Sequence, residues 1–345
     1  MSGRVDRLRA LLDDPLLVTT AVNVRYLTGF GSTNAALLVG PERVQLFTDF
    51  RYAERAREVE GVELVETTRA LATALAGLLP QRVAFEAEGV TYAQWETLRA
   101  GGRDLVPTRK LVERLRAVKD DAELDAIRRA SAITHRVYER FADERFVGRT
   151  ERELVRRLEE LYREEGAQGF SFPSVVATRP NGASPHAVAG DRVVEEGHTI
   201  VVDSGATVDG YCTDCTRTFA AGALPPRLAR AYETCQRAQL HALTLVRAGA
   251  NGREVDAAAR ELVDATEFAG MFRHGLGHGV GLLVHEDPSM RQEEEHVLEP
   301  GNVVTVEPGV YVPGEGGIRV EDLVVVTEDG CEILGGFTKE LVTVS

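Results

Sequence analysis

The sequence predicts a two-domain α/β (α+β) protein, with a small domain over residues 1–118 and a larger one over 119–345. Three observations carry that expectation. At 345 residues the chain is about twice the roughly 150 of an average domain. Up to about residue 110, short apolar runs alternate with stretches of helical spacing. After Gly166 strand signals dominate, broken by only two helical patterns. With 43% hydrophobic residues the chain can bury a full core.

Residues 1–17 read as a short amphipathic helix, with Val5, Leu8, Leu11 and Leu12 set among Arg4, Arg7 and Arg9. They lack the apolar core of a secretory signal. Residues 35–39 and 44–48 are apolar runs joined by Gly40-Pro41-Glu42-Arg43, a hairpin-like pair. Residues 50–59 and 69–79 read as helices, and 82–85 as a further strand. A helical stretch at 111–118 leads into 121–141, where Leu124, Ile127, Ala130, Ser131 and Thr134 recur at helical spacing. The domain boundary is expected near 117–121. Thr150-x-x-Glu153 is a capping-box pattern opening another helix towards Glu165. Further on, 226–246 and 253–266 read as helices, the second capped by Asn251. The second half of the chain doubles loosely on itself, with an acidic residue near the end of each strand pair.

Composition excludes several classes of function. The formal charge of −14, from 40 Lys and Arg against 54 Asp and Glu, repels phosphate and argues against a nucleic-acid or anionic-membrane partner. No stretch approaches the roughly 18 apolar residues that span a bilayer. Four cysteines do not make a disulfide framework in a chain this long, so the cytoplasm is the expected location. Cys212-x-x-Cys215 matches a redox motif but lies within a candidate ligand strand, and Cys235 and Cys331 stand alone, so all four read as structural thiols. Residues 293–295, three glutamates, read as a solvated loop. His135, His198, His241 and His296 have no motif context and read as surface or helix residues.

Four acids stand out by position. The buried-strand run 199–202 ends on Asp203, followed by Ser204-Gly205. Residues 211–219 alternate, placing Asp214 on one face with Cys212, Thr216 and Thr218. Val303–Val306 repeats the first pattern and ends on Glu307-Pro308-Gly309. Residues 317–326 form a strand with Arg319, Glu321 and Leu323 on one side. Any one of these acids alone reads as a turn residue or a hydrogen-bonded structural group. Four together cannot all sit unpaired inside one domain, because each buried ion costs several kcal/mol. Two divalent cations offset four negative charges. His278, in His274-Gly275-Leu276-Gly277-His278-Gly279-Val280-Gly281, completes the set, and the glycines allow tight backbone beside a crowded site. One imidazole with four carboxylates suits Mn²⁺, Co²⁺ or Zn²⁺ better than a thiolate-seeking metal.

In order and residue type, Asp203-x-Gly, Asp214, His278, Glu307-Pro-Gly and Glu321 resemble the ligand set of the pita-bread metallopeptidases. The intervals are 11, 64, 29 and 14 residues. Residues 23–30 and 47–52 resemble the creatinase-like N-terminal domain of the proline-directed branch, which contains aminopeptidase P and prolidase. Asp214-x-Thr-Arg-Thr218 and residues 317–322 resemble that branch's core motifs. The resemblance implies a creatinase-like domain followed by a pita-bread catalytic domain, peptides with proline in second position as substrates, and a homodimer.

It also implies roles. Asp203 would hold one metal ion, His278 and Glu307 the other, and Asp214 and Glu321 both; Glu307 would also shuttle the proton. His285 resembles the histidine that faces the scissile carbonyl, and His186 and His274 those that wall the proline side. Arg319 would pair with a ligand carboxylate and orient it; a surface salt bridge is the plainer alternative. Several prolidases carry Arg directly after the Pro of His-Glu-x-Pro, where it can receive a dipeptide's carboxylate. Here that position is Ser289, with Arg291 two residues on and an acidic stretch beyond it. Aminopeptidase P activity on tripeptides and longer is therefore expected over the dipeptidase alternative.

Overall fold

A computed structural model describes residues 2–345, which form two compact units divided in sequence between Arg116 and Ala117. The first unit is built on a six-stranded mixed sheet. Its strand order is Glu63–Thr67, Val44–Asp49, Ala35–Val39, Leu16–Val18, Arg82–Glu86 and Asp104–Thr108. Leu16–Val18 lies inside the sheet, antiparallel to Ala35–Val39 and parallel to Arg82–Glu86. All three of its residues are buried, as a strand covered on both faces requires. The helix expected over 1–17 is therefore shorter, Ser2–Arg9. Pro15 disfavours helical backbone at the residue before it, which releases Leu16 and Leu17 to the sheet. The helix expected over 50–59 contracts to Ala53–Ala56, since only those two alanines of its span are buried. Leu75 and Leu98, from helices Leu71–Leu78 and Tyr92–Ala100, close the core over Leu17, Leu38, Phe47 and Phe85.

The second unit uses one arrangement twice, a pair of helices laid on a sheet. In the first copy, Asp121–Ala142 and Glu151–Glu164 bury Tyr138, Phe141, Leu154 and Leu158 against Ile200, Val202 and Phe219. Both helices open with a complete capping box, Asp120 with Glu123 and Thr150 with Glu153. The sheet order is Val342–Val344, Cys215–Ala221, Thr199–Ser204, Val175–Thr178. In the second copy, Pro226–Leu243 and Gly252–Asp264 bury Tyr232, Cys235, Val255 and Val263 against Val304, Val306 and Val324. Here the order is Glu286–Met290, Gly277–Gly279, Val303–Val306, Asp322–Val326, Cys331–Ile333. This is the doubling expected from the sequence.

Two strands expected to be continuous are interrupted where their acids sit. The 211–219 run divides into Tyr211–Cys212 and Cys215–Ala221, with Asp214 in the gap. The 317–326 run divides into Gly316–Arg319 and Asp322–Val326, with Glu321 in the gap. Glu321 N donates across to Thr216 O at 3.1 Å, so a backbone bond between the two sheet systems replaces a ladder bond. Among the described residues no helix is long and apolar enough to cross a membrane.

Candidate metal centre

Strand register brings the acids together. Thr199–Ser204 and Cys215–Ala221 run antiparallel with Asp203 opposite Thr216, and Val303–Val306 pairs with Asp322–Val326 so that Val306 faces Asp322. Glu307 and Glu321 thus follow and precede directly paired residues. Two glycines make this approach sterically feasible. A β-carbon at Gly277 would collide with Thr305 O, and one at Gly205 with Thr213 O.

Asp203, Asp214 and Glu321 each present an oxygen within 4.8 Å of the others. Asp214 and Glu321 are buried, and Asp203 nearly so. His278 Nε2 lies 3.2 Å from Glu307 Oε1 and 3.7 Å from Asp214 Oδ2. Its Nδ1–H donates to Gly279 O at 3.1 Å, which turns Nε2 towards the carboxylates. All five expected ligands therefore converge on one place.

Burial and mutual repulsion bear heavily on these acids. Burial, then the neighbouring carboxylates, push the Asp214 and Glu321 carboxyls well above the usual range; burial also raises Asp203. For Glu307 burial acts upward too, but the hydrogen bond with His278 and that ring's charge prevail and bring it to about 2. Burial opposes the His278 imidazolium, yet Glu307 raises its pKa above the ordinary value. Arg319 and a protonated His278 together bring two positive charges to four carboxylates, too few to neutralise them. Asp203 Oδ1 and Glu321 Oε1 are buried with no hydrogen-bond partner, an arrangement that costs free energy unless a cation takes the lone pairs. Hard divalent ions fit this oxygen-rich set.

Around the acids lies a second ring of groups. Arg319 is buried: its guanidinium hydrogen-bonds Asp203, donates to Thr216 Oγ1 at 3.0 Å and Tyr311 Oη at 2.9 Å, and reaches Pro185 O at 3.3 Å. The surface-salt-bridge alternative is thereby excluded. His274 Nδ1–H donates to Gly275 O at 2.8 Å, so Nε2 is left to accept from Tyr311 Oη at 2.9 Å. Tyr311 thus donates to His274 while accepting from Arg319. The exposed His285 ring stands edge-on to His278, centroids 4.2 Å apart. Partial burial, then the charge of His278, lower its pKa, while Glu307 acts the other way; His186 is exposed.

Tyr311 is the residue of this network that sequence reasoning missed. It sits in Gly309–Val312, an ordinary buried strand, and only its place after Glu307-Pro308-Gly309 hinted at the site. The cysteine pair does not form a redox unit: Cys212 packs with Ile127 and Val280, Cys215 with Tyr138 and Phe219, in separate cores. The stretch 293–295 is not simply solvated. Glu294 accepts from Ser289 Oγ at 2.8 Å and pairs with Arg291, and Glu295 pairs with Arg253. His296, read as a surface residue, accepts the Ser289 N–H at 3.2 Å.

Comparison with known proteins agrees with this geometry. Residues 125–328 match the model of metallopeptidase family M24, and residues 4–118 that of the creatinase/prolidase N-terminal domain. The solved structure of an Xaa-Pro dipeptidase from Bacillus anthracis superposes with a TM-score of 0.96 at 35% identity, over 99% of both chains. An X-Pro aminopeptidase from Thermotoga maritima gives 0.88 at 33% identity, over 98% of this chain and 100% of its own. The Xaa-Pro dipeptidase of Pyrococcus furiosus is 30% identical over 350 residues, covering 99% of this chain and 100% of that protein. Membership of this family implies divalent metal ions. With its creatinase/prolidase N-terminal domain and its converging acids, the chain belongs to metallopeptidase family M24, in the proline-directed, pita-bread branch, and is an enzyme.

Proposed function

We propose that this enzyme hydrolyses the Xaa-Pro bond at the N-terminus of peptides, preferring those of three residues or more, with two divalent ions held by Asp203, Asp214, His278, Glu307 and Glu321. The observation that carries the reading is the convergence of four carboxylates and one imidazole, with two carboxylate oxygens buried and unpartnered. Manganese is the proposed metal, with cobalt and zinc as alternatives. When bound, such ions activate water and stabilise negative charge on the carbonyl oxygen.

The chain's own groups divide the remaining work. Asp214 and Glu321, the most deeply buried of the four acids, would hold both ions, with Asp203 holding one and His278 and Glu307 the other. Glu307, held ionised, can accept a proton from the nucleophile and pass it to the departing proline nitrogen. His285, whose pKa is lowered, has an N–H to offer the carbonyl oxygen. His186 and His274 would wall the ring, and the rigid Arg319–Tyr311–His274 chain of hydrogen bonds would hold the latter in place. An Xaa-Pro amide carries no N–H, so a site that needs only the carbonyl and a ring pocket answers the problem it poses.

The length preference rests on the absence of a cation for a dipeptide's carboxylate at residues 289–291. The Ser289 hydroxyl is engaged by Glu294, and Arg291 is paired with that same carboxylate. A dipeptidase is the second reading, favoured by the names of the B. anthracis and P. furiosus relatives. Steady-state kinetics on Ala-Pro and Ala-Pro-Ala, with Mn²⁺, Co²⁺ and Zn²⁺ in turn, decide between them. We expect the higher kcat/KM for the tripeptide; a clear preference for Ala-Pro would overturn that choice. A homodimer, from the family resemblance, and a cytoplasmic location, from the cysteine usage, complete this reading, with sedimentation and cell fractionation as their tests.

A further inference from the structure

Between Thr178 and Arg192 the chain leaves its sheet, turns through Asn181–Ala183 and returns, with His186 exposed at the tip. At that tip Ala187 is buried while Val188 is 82% exposed, and the Pro185 carbonyl accepts from Arg319 at 3.3 Å. The base of the loop is closed differently. Glu151, wholly buried, accepts from Thr178 N at 2.9 Å and Asn181 Nδ2 at 3.1 Å through Oε1, and from Gly190 N at 2.8 Å and Asn181 Nδ2 at 3.0 Å through Oε2. Asn181 Nδ2 also donates to Val188 O at 3.0 Å, and the Arg192 guanidinium stands 3.8 Å from the same carboxylate. From the backbone side, Glu151 N and Arg152 N each donate at 3.0 Å, to Arg192 O and Gly190 O.

A carboxylate taken wholly out of water is costly unless its lone pairs are filled. Here they are filled entirely from the outgoing limb, the turn and the returning limb of one loop. The helix Glu151–Glu164 does not need this side chain for its cap, since Thr150 and Glu153 already form the capping box. The acid's burial is therefore explained by the loop and not by the helix.

We infer that Glu151 is a positioning residue that clamps the 178–192 loop at its base, so that His186 is held where substrate meets it. The inference rests on the proposed role of His186 as a substrate contact. Chain held mainly at its base keeps its tip in place only if that base is rigid, because each freed residue regains backbone entropy. Misplacing a contact by about 1 Å from a distance can cost ~10²-fold in rate.

Glu151→Gln preserves size but turns an N–H donor against one of the loop's own donors. In the full-length, metal-loaded enzyme we expect it to lower kcat/KM on Ala-Pro-Ala by roughly 10- to 100-fold, chiefly through KM, with metal content unchanged. Combined with His186→Ala it should cause no further loss, because the loop then has no contact left to position. Hydrogen exchange across 178–192 should rise in Glu151→Gln with or without His186. Asn181→Ala removes the link between the carboxylate and Val188 and should show the same coupling to a smaller extent, which keeps the test open if Glu151→Gln does not accumulate folded. Losses that multiply between Glu151→Gln and His186→Ala, or unchanged kcat/KM, would overturn the inference. If the wild-type enzyme cleaves no Xaa-Pro peptide, the functional reading falls by itself. Exchange then still decides the clamp, and unchanged exchange across 178–192 would refute it.

Discussion

Asp214 and Glu321 differ from the other proposed ligands in how completely water is excluded from them, 7% and 1% exposed. Without a cation, burial and mutual repulsion drive both towards the protonated form. Replacing either by Ala should therefore cost both metal and turnover, whereas His186→Ala, at an exposed loop tip, should spare the metal and retain more activity. Metal analysis alongside kcat tests this; near-full turnover with two ions retained in either acid variant would sink the dinuclear reading. His285 poses a separate question, because it touches His278 edge-on without bonding to any acid. His285→Ala should leave the metals bound and lower kcat by ~10²–10³-fold, the usual effect of losing one transition-state hydrogen bond. A variant with wild-type kcat, or one emptied of metal, would refute the role.

The helix Asp121–Ala142 shows how an element can carry a function invisible in its own periodicity. Its buried face was legible from helical spacing at Ile127, Ala130, Ser131 and Thr134, and the structure extends it through Val137 and Tyr138, with Asp120 and Glu123 completing the cap. His135 on the same helix had no motif, yet its Nδ1 accepts the N–H of Gly336 and of Phe337, tying the helix to the C-terminal segment. Burial, then the positive charge of Arg217, bring its pKa from 6.5 to about 4, while Asp322 acts weakly the other way. The folded state thus favours the neutral ring. Its stabilising contribution is complete above pH 6.5 and is lost as pH falls from there through 4. Thermal midpoints of the wild type and His135→Gln, measured from pH 7.5 down to about 4, should draw together across that window. A constant difference between them would exclude this linkage. The two interrupted strands make the same point about elements. Alternation located Asp214 and Glu321 on strand-like segments, but both sit in gaps, and at Glu321 the backbone N–H bonds Thr216 O instead of a ladder partner.

At the scale of the molecule, all five proposed ligands lie in the unit from Ala117 onwards. A ligand stabilises only the cooperative unit that binds it. Chelation should therefore lower the calorimetric transition of the C-terminal unit and leave that of the N-terminal unit in place, provided the two melt separately. Scans of the intact chain before and after chelator, with metal restored as control, test this; equal shifts in two resolved transitions would count against it. The sequence by itself picked out the candidate ligands, because four carboxylates near strand ends cannot all sit unpaired in one domain and their order with His278 resembles a known ligand set. It also determined the doubled plan, through apolar periodicity and cap chemistry, both of which act within a few residues. Only the tertiary structure decided the supporting partners: Tyr311 with His274 across 37 positions, Glu151 with Asn181 across 30, and Lys119 buried against Glu286 across 167. Each of Tyr311, Glu151 and Lys119 is unremarkable in its own segment. Its meaning comes from a hydrogen-bond partner that chain folding brings close, and neither spacing nor composition records that proximity.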